Sequence, residues 1–125
     1  MSWYETALVL DPRLEEEGIN QRVQRYTDLL AANGATELRI DRRGMRKLAY
    51  NIKGKDGEWR TQADYTFVLY QAPPTTSKEV ERQLRLDEDV LRYLTVRYEK
   101  LPPSEKPHDD ESDTDDADGS VGEEE

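Results

Sequence analysis

Between residues 36 and 69 the chain reads as two long alternating segments joined by a cluster of turn residues, and this pattern limits what it can fold into. In the first segment, residues 36–52, Leu38, Ile40, Leu48, Tyr50 and Ile52 fall at even positions, with Asp41, Arg42, Arg43, Gly44, Met45, Arg46 and Lys47 between them. Lys53-Gly54-Lys55-Asp56-Gly57 supplies the turn, after which Trp59, Thr61, Ala63, Tyr65, Phe67 and Leu69 alternate with Arg60, Gln62, Asp64 and Thr66. A two-residue period belongs to strands with two unlike faces, so the pair predicts a hairpin whose first strand is long and charged in its middle.

The flanking segments complete the element order. Residues 3–10 are rich in β-favouring side chains, with Tyr4, Thr6, Leu8 and Leu10 on one face and Asp11-Pro12 as a stop. Over residues 14–33, apolar side chains at 14, 19, 23, 26, 29 and 30 follow the helical period, Glu15, Glu16 and Glu17 suit the N-terminal end of the dipole, and Asn33-Gly34 ends the helix. Pro73-Pro74 ends the third strand, and Thr76 with Glu79 reads as a capping box ahead of Val80, Leu84 and Leu91 on one helical face. Residues 91–98 form a fourth strand with Leu94, Val96 and Tyr98 on one side. The order βαββαβ predicts an α+β, ferredoxin-like split β-α-β sandwich: a four-stranded antiparallel sheet with two helices on one face. Its open face and the edge formed by the long second strand are the surfaces left for partners.

Charge divides the chain. At 125 residues it suits one domain, yet apolar residues make up only 34%, below the roughly 45–50% usual for globular chains. From His108 onward there are ten acidic residues, no Lys or Arg, and Val121 as the only large apolar side chain, a signature of disorder. Residues 1–107 hold 18 basic and 18 acidic residues, so the formal charge of −10 resides in the tail. We therefore read a folded domain over residues 1–101 and a disordered acidic tail over 102–125, which solubilises or shields. An acidic chain does not exclude nucleic acid when the folded body is neutral.

The candidate chemistry is binding. Residues 39–60 carry eight Lys or Arg (39, 42, 43, 46, 47, 53, 55, 60) against three acids, a local balance of +5. Arginine donates two hydrogen bonds to a phosphate at once, so a strand edge and hairpin tip of this kind can follow an RNA backbone; the same charges also guard an edge strand against aggregation. Tyr4, Tyr50, Trp59, Tyr65, Tyr70, Tyr93 and Tyr98 lack the signature strand of sheet-face RNA binders and fit packing better. With no cysteine there is no thiolate nucleophile, disulfide or cysteine metal site, and the single histidine, His108, sits in the tail. No phosphate loop, dinucleotide fingerprint or metal spacing occurs, so neither an active site nor a cofactor nor a small-molecule substrate is expected. A hydrolase of this topology would need an anion-cradling loop after the first strand, where Asp11-Pro12-Arg13-Leu14 has no glycine. The N-terminus shows no leader or membrane span, which points to the cytoplasm.

Four segments resemble the sixth small-subunit ribosomal protein of bacteria: Tyr4-Glu5-Thr6 through Asp11-Pro12 with Leu14-Glu15-Glu16; Arg43-Gly44-Met45-Arg46-Lys47-Leu48-Ala49-Tyr50 with Ile52; residues 57–67; and residues 81–94. The resemblance spans residues 4–98 and implies a structural role on the ribosome. It implies pairing with the eighteenth small-subunit protein as a heterodimer and binding of the central domain of small-subunit ribosomal RNA during assembly. It places Arg42, Arg43, Arg46 and Lys47 near both RNA and protein partner; Lys53 and Lys55 at the hairpin turn are expected as further phosphate contacts on their charge alone. Gly44, Met45, Leu48, Tyr50 and Arg92 are the expected protein-partner residues. Family members often carry an aromatic residue where this chain has Arg43, a departure at that contact. The compact sequence suits a bacterium, a cyanobacterium or a plastid-encoded copy. The alternative is a protein-binding regulatory domain of the same fold with no RNA role.

Overall fold

A computed structural model describes residues 1–101, and the expectations placed on 102–125, including His108, lie outside the described residues. Strand β1 (Ser2–Leu10) leads through a 3-10 turn (Pro12–Leu14) into helix α1 (Glu15–Ala32); β2 (Thr36–Lys53) and β3 (Trp59–Ala72) form the hairpin; α2 (Pro74–Leu86) and β4 (Val90–Tyr98) follow. The sheet order is β2-β3-β1-β4, every pair antiparallel. The predicted ferredoxin-like architecture is the one observed.

The core forms between the helices and one sheet face. Tyr4, Leu8 and Leu10 of β1 meet Val68, Tyr70 and Ala72 of β3 on that face, and Ile19, Val23, Tyr26 and Leu30 of α1 with Val80 and Leu84 of α2 close over them. Burying each large aliphatic side chain stabilises the fold by about 1.5–3 kcal/mol. Thr6 Oγ1 lies 2.9 Å from both Tyr70 Oη and Thr95 Oγ1, so the hydroxyls inside this layer satisfy one another.

Three local patterns are decided by the tertiary structure. The polar set of β3, with Asp64 and Thr66, lies under the helices beside Val68 and Tyr70, whereas Tyr65, Phe67 and Leu69 face the uncovered side. Helix α2 begins at Pro74, so Thr76 does not cap it; its buried hydroxyl donates to Asn33 O at 2.5 Å and closes the C-terminal end of α1. Leu91, which the sequence pattern offers both to the face of α2 and to the fourth strand, lies in β4 and packs with Tyr65 against a second cluster of Val9, Leu48, Ile52 and Ala63. In each case tertiary contact overrides a local pattern that suited two outcomes.

Leu48 reaches that second cluster because β2 is bulged. Arg42 stands opposite Thr66 and Gly44 opposite Tyr65, which leaves Arg43 as the extra residue, and Gly44 takes φ +80°, a value side-chain-bearing residues adopt only at a cost. One extra residue inverts parity. Ile40 and Arg42 therefore lie on the helix side, while Leu48, also at an even position, crosses to the opposite face and joins Val9 and Ala63.

Asp87, just after α2, ties the layers together. Arg22 of α1 donates to both of its carboxylate oxygens at 2.6 and 2.5 Å, Tyr26 donates its hydroxyl at 2.6 Å, and the backbone N–H of Asp89 donates at 2.9 Å. Burial by itself would raise the Asp87 pKa, but the hydrogen bonds from Tyr26 and Arg22 outweigh it and hold the carboxyl below its ordinary 3.8. A folded-state pKa below the unfolded one gives stability that is present above pH 3.8 and lost as pH falls through the depressed value. Asp87→Asn should thus lower unfolding stability at neutral pH by about 3 kcal/mol and flatten the acid limb of the stability profile, both read by urea denaturation across pH.

Candidate functional site

The sheet face away from the helices is built in cross-strand rows. Reading from β4 to β2, Val96, Glu5, Leu69 and Arg39 form one row; Leu94, Ala7, Phe67 and Asp41 the next; Arg92, Val9, Tyr65 and Gly44 a third. Its floor is apolar and aromatic, and no helix of the described residues covers it: Leu94 is 54% and Val96 39% exposed. Along the β2 side, cations lie over rings, with Arg39 5.8 Å from the Trp3 centroid, Arg43 6.0 Å from Phe67 and Lys53 5.9 Å from Trp59. Such contacts hold long cationic side chains flat while leaving their charge toward solvent.

The eight cations of residues 39–60 divide into structural and exposed groups. Arg60 is buried: its Nε and Nη2 grip the two oxygens of Asp11 at 3.1 and 3.0 Å, and Nη2 also meets Asp56 at 2.9 Å, fastening the end of β1 to the hairpin turn. Lys55 donates to the carbonyls of Arg85 and Asp87 at 2.9 and 2.6 Å, satisfying the C-terminal end of α2. Arg42 turns toward α1, where it donates to Asn20 Oδ1 at 2.5 Å and stands 3.8 Å from Asp64. Arg43 goes to the opposite face and pairs with Asp41 at 2.9 Å. Arg46 and Lys47 are exposed and form no ion pair among the described residues.

The expected partner residues are spread more widely. Gly44 has nothing within 4 Å of where a Cβ would stand, Met45 is 44% exposed and Tyr50 84%, whereas Leu48 is 9% exposed inside the second cluster. Arg92 shares the row of Gly44 but stands at the far edge, three strand spacings or about 14 Å away. Of the aromatic set, Tyr4 and Tyr70 stack on each other in the core with centroids 5.8 Å apart. The residues missed from sequence are Trp3 and Phe67, half-buried on the uncovered face beneath arginines. The alternation of β3 held the signal for Phe67; what it lacked was which face the helices would choose.

At the bulge, Arg42, Gly44 and Met45 line an open cleft of about 370 Å³ with Glu15, Glu16, Ile19, Arg43 and Asp64. Asp64 Oδ1, and Thr66 Oγ1 near it on β3, are buried with no hydrogen-bond partner among the described residues. Among the described residues no cluster of His, Cys, Asp or Glu could hold a metal ion, and no helix is long and apolar enough to cross a membrane.

An uncovered aromatic sheet bordered by cations is the kind of surface that a constituent of a larger assembly presents. The family model for ribosomal protein S6 matches residues 3–97, and the chain belongs to that family. It is 43% identical over 97 residues to small ribosomal subunit protein bS6 of Gloeobacter violaceus, covering 77% of this chain and 95% of that one. With the bS6 protein of Trichodesmium erythraeum it shares 38% over 96 residues, covering 77% and 78% of the two chains. The crystal structure of 30S ribosomal protein S6 from Thermotoga maritima superposes with a TM-score of 0.68 at 26% identity, covering 78% of this chain and 87% of that one. Membership makes this a structural constituent of the small ribosomal subunit and not an enzyme.

Burial raises the Asp64 pKa above its ordinary 3.8, and nearby Arg42 only partly opposes it. A carboxyl whose folded pKa exceeds its unfolded value costs stability as pH rises through that raised pKa, the reverse of Asp87. Asp64→Asn should leave stability at neutral pH unchanged or higher, by up to about 1 kcal/mol. Chemical denaturation at two pH values, neutral and acidic, checks this, since the gain should vanish in acid.

Proposed function

We propose that this chain binds the central domain of small-subunit ribosomal RNA as a heterodimer with the eighteenth small-subunit protein, in the cytoplasm. The observation that carries the RNA half is the sorting of the strand-two cations: Arg46, Lys47 and Lys53 have no hydrogen bond or ion pair among the described residues and sit exposed on an edge strand, as does Arg39. Edge position leaves them free to follow a phosphate backbone. Arg42 and Arg43 can join them by exchanging Asn20 and Asp41 for phosphate. Lys55 contributes least, because two of its three N–H groups already serve carbonyls.

The protein partner takes the uncovered face and two exposed side chains of β2, Met45 beside the bulge and Tyr50 beyond it, with Arg92 at the far edge. An apolar floor with a charged rim is the usual composition of such a contact. A neutral body has little long-range attraction for RNA, so the isolated chain should bind weakly and the pair tightly.

Gel-shift titration with a central-domain RNA fragment, with and without the partner, tests the proposal. Three phosphate contacts should give a log–log salt slope for this chain's share of about −2 to −3, and Arg46→Ala or Lys47→Ala should each reduce it by about 1. Tight, salt-independent binding by the isolated chain, or a pair whose affinity ignores both substitutions, would overturn it.

A further inference from the structure

The cleft at the bulge gathers more carboxylates than cations. It lies between the start of α1 and the middle of β2, with Glu15, Glu16 and Asp64 in its lining. Of the two arginines there, Arg42 donates to Asn20 and stands 3.8 Å from Asp64, while the guanidinium of Arg43 pairs with Asp41 and lies over Phe67 on the opposite face. Three carboxylates therefore meet one cation.

Asp64 sets this cleft apart from a group of surface acids. The residue is 4% exposed, yet its Oδ1 has no hydrogen-bond partner among the described residues, and its Oδ2 lies 3.8 Å from Arg42, beyond hydrogen-bonding distance. A buried carboxylate with an unsatisfied oxygen destabilises the fold, and a donor entering the cleft removes that penalty. Burial pushes the Asp64 carboxyl up, Arg42 opposes this only in part, and Glu16 adds to it, so a positive charge is what the pair lacks.

The walls suit the rest of such a ligand. Buried Ile19 and half-exposed Met45 offer apolar surface to a methylene stem, and about 370 Å³ holds a head group and its stem together. A guanidinium fits better than an ammonium. Its planar fork can give one N–H to Asp64 and another to a carboxylate at the rim, and it is the more weakly hydrated of the two.

We propose that the cleft at the β2 bulge is a binding site for a guanidinium group on a short aliphatic stem. Asp64 Oδ1 accepts at its inner end, Glu16 supplies charge at the rim, and Ile19 and Met45 flank the stem.

Titration of the full chain with N-acetylarginine amide at low ionic strength, followed by backbone amide NMR shifts, tests this. The amides of Glu16, Gly44, Met45 and Asp64 should move saturably, whereas those of Lys78 on α2 and Arg92 on β4 should stay in place. The neutral isostere, N-acetylcitrulline amide, should move none of them. Asp64→Asn, which should fold at least as stably at neutral pH, should weaken binding about tenfold or more. Glu16→Gln should weaken it about two- to fivefold, and Glu17→Gln, outside the lining, should leave it unchanged. A short glycine- and serine-based peptide with one arginine separates the sources of the group. Tighter binding of the peptide than of the amide assigns the guanidinium to a protein chain, equal binding assigns it to a free molecule, and either upholds the site. The proposal is overturned if no shift saturates, if the citrulline compound shifts the same amides equally, or if Asp64→Asn binds as the parent does.

Discussion

The fold depends on one carboxylate. Asp87 receives Arg22 and Tyr26 from α1 while its own carbonyl and that of Arg85 receive Lys55 from the β2–β3 turn. Arg22 continues to Asp89, whose carbonyl accepts the backbone N–H of Asp11 at the end of β1. One residue thus joins both helices, the hairpin tip and the start of β4. A buried carboxylate survives only if its hydrogen bonds offset the loss of water, and here at least three donors converge on it. The Asp11–Arg60–Asp56 cluster repeats the device nearby, between β1 and the hairpin turn.

With the helices held on one side, the other side of the sheet is free to be a surface, and the bulge at Arg43 and Gly44 decides what it displays. By inverting parity within β2 it sends Arg42 toward α1 and Arg43 over Phe67, two neighbours in sequence on opposite sides of the sheet. It also moves Leu48 onto Val9 and Ala63, so the far end of the long hairpin has a small core of its own. An 18-residue edge strand would otherwise project from the sheet with little to hold it.

These constraints suit a structural constituent of the small ribosomal subunit. Side chains of the kind that could do chemistry, Asp11, Arg60, Asp87 and Tyr26, are committed to one another inside the fold. What remains outward is an aromatic floor, a row of cations and an edge strand, which suits a constituent of an assembly.

The sequence by itself determined the element order, the sheet with its open face, the end of α1 at Asn33-Gly34, and the concentration of cations in β2, because periodicity and stop signals are local. It did not determine which side of β3 the helices would cover: both sides offered hydrophobic residues, and only the joint packing of Tyr70, Val68 and Ala72 under α1 and α2 chose between them. Gly44 inside a strand hinted at the bulge, yet its effect on Leu48 needed the partner strand. Nor could composition separate Arg60 and Lys55, which hold the fold together, from Arg46 and Lys47, which face solvent. A charge's role depends on what the folded chain brings within about 3 Å of it, and residues 49 positions apart, as Asp11 and Arg60 are, meet only in the tertiary structure.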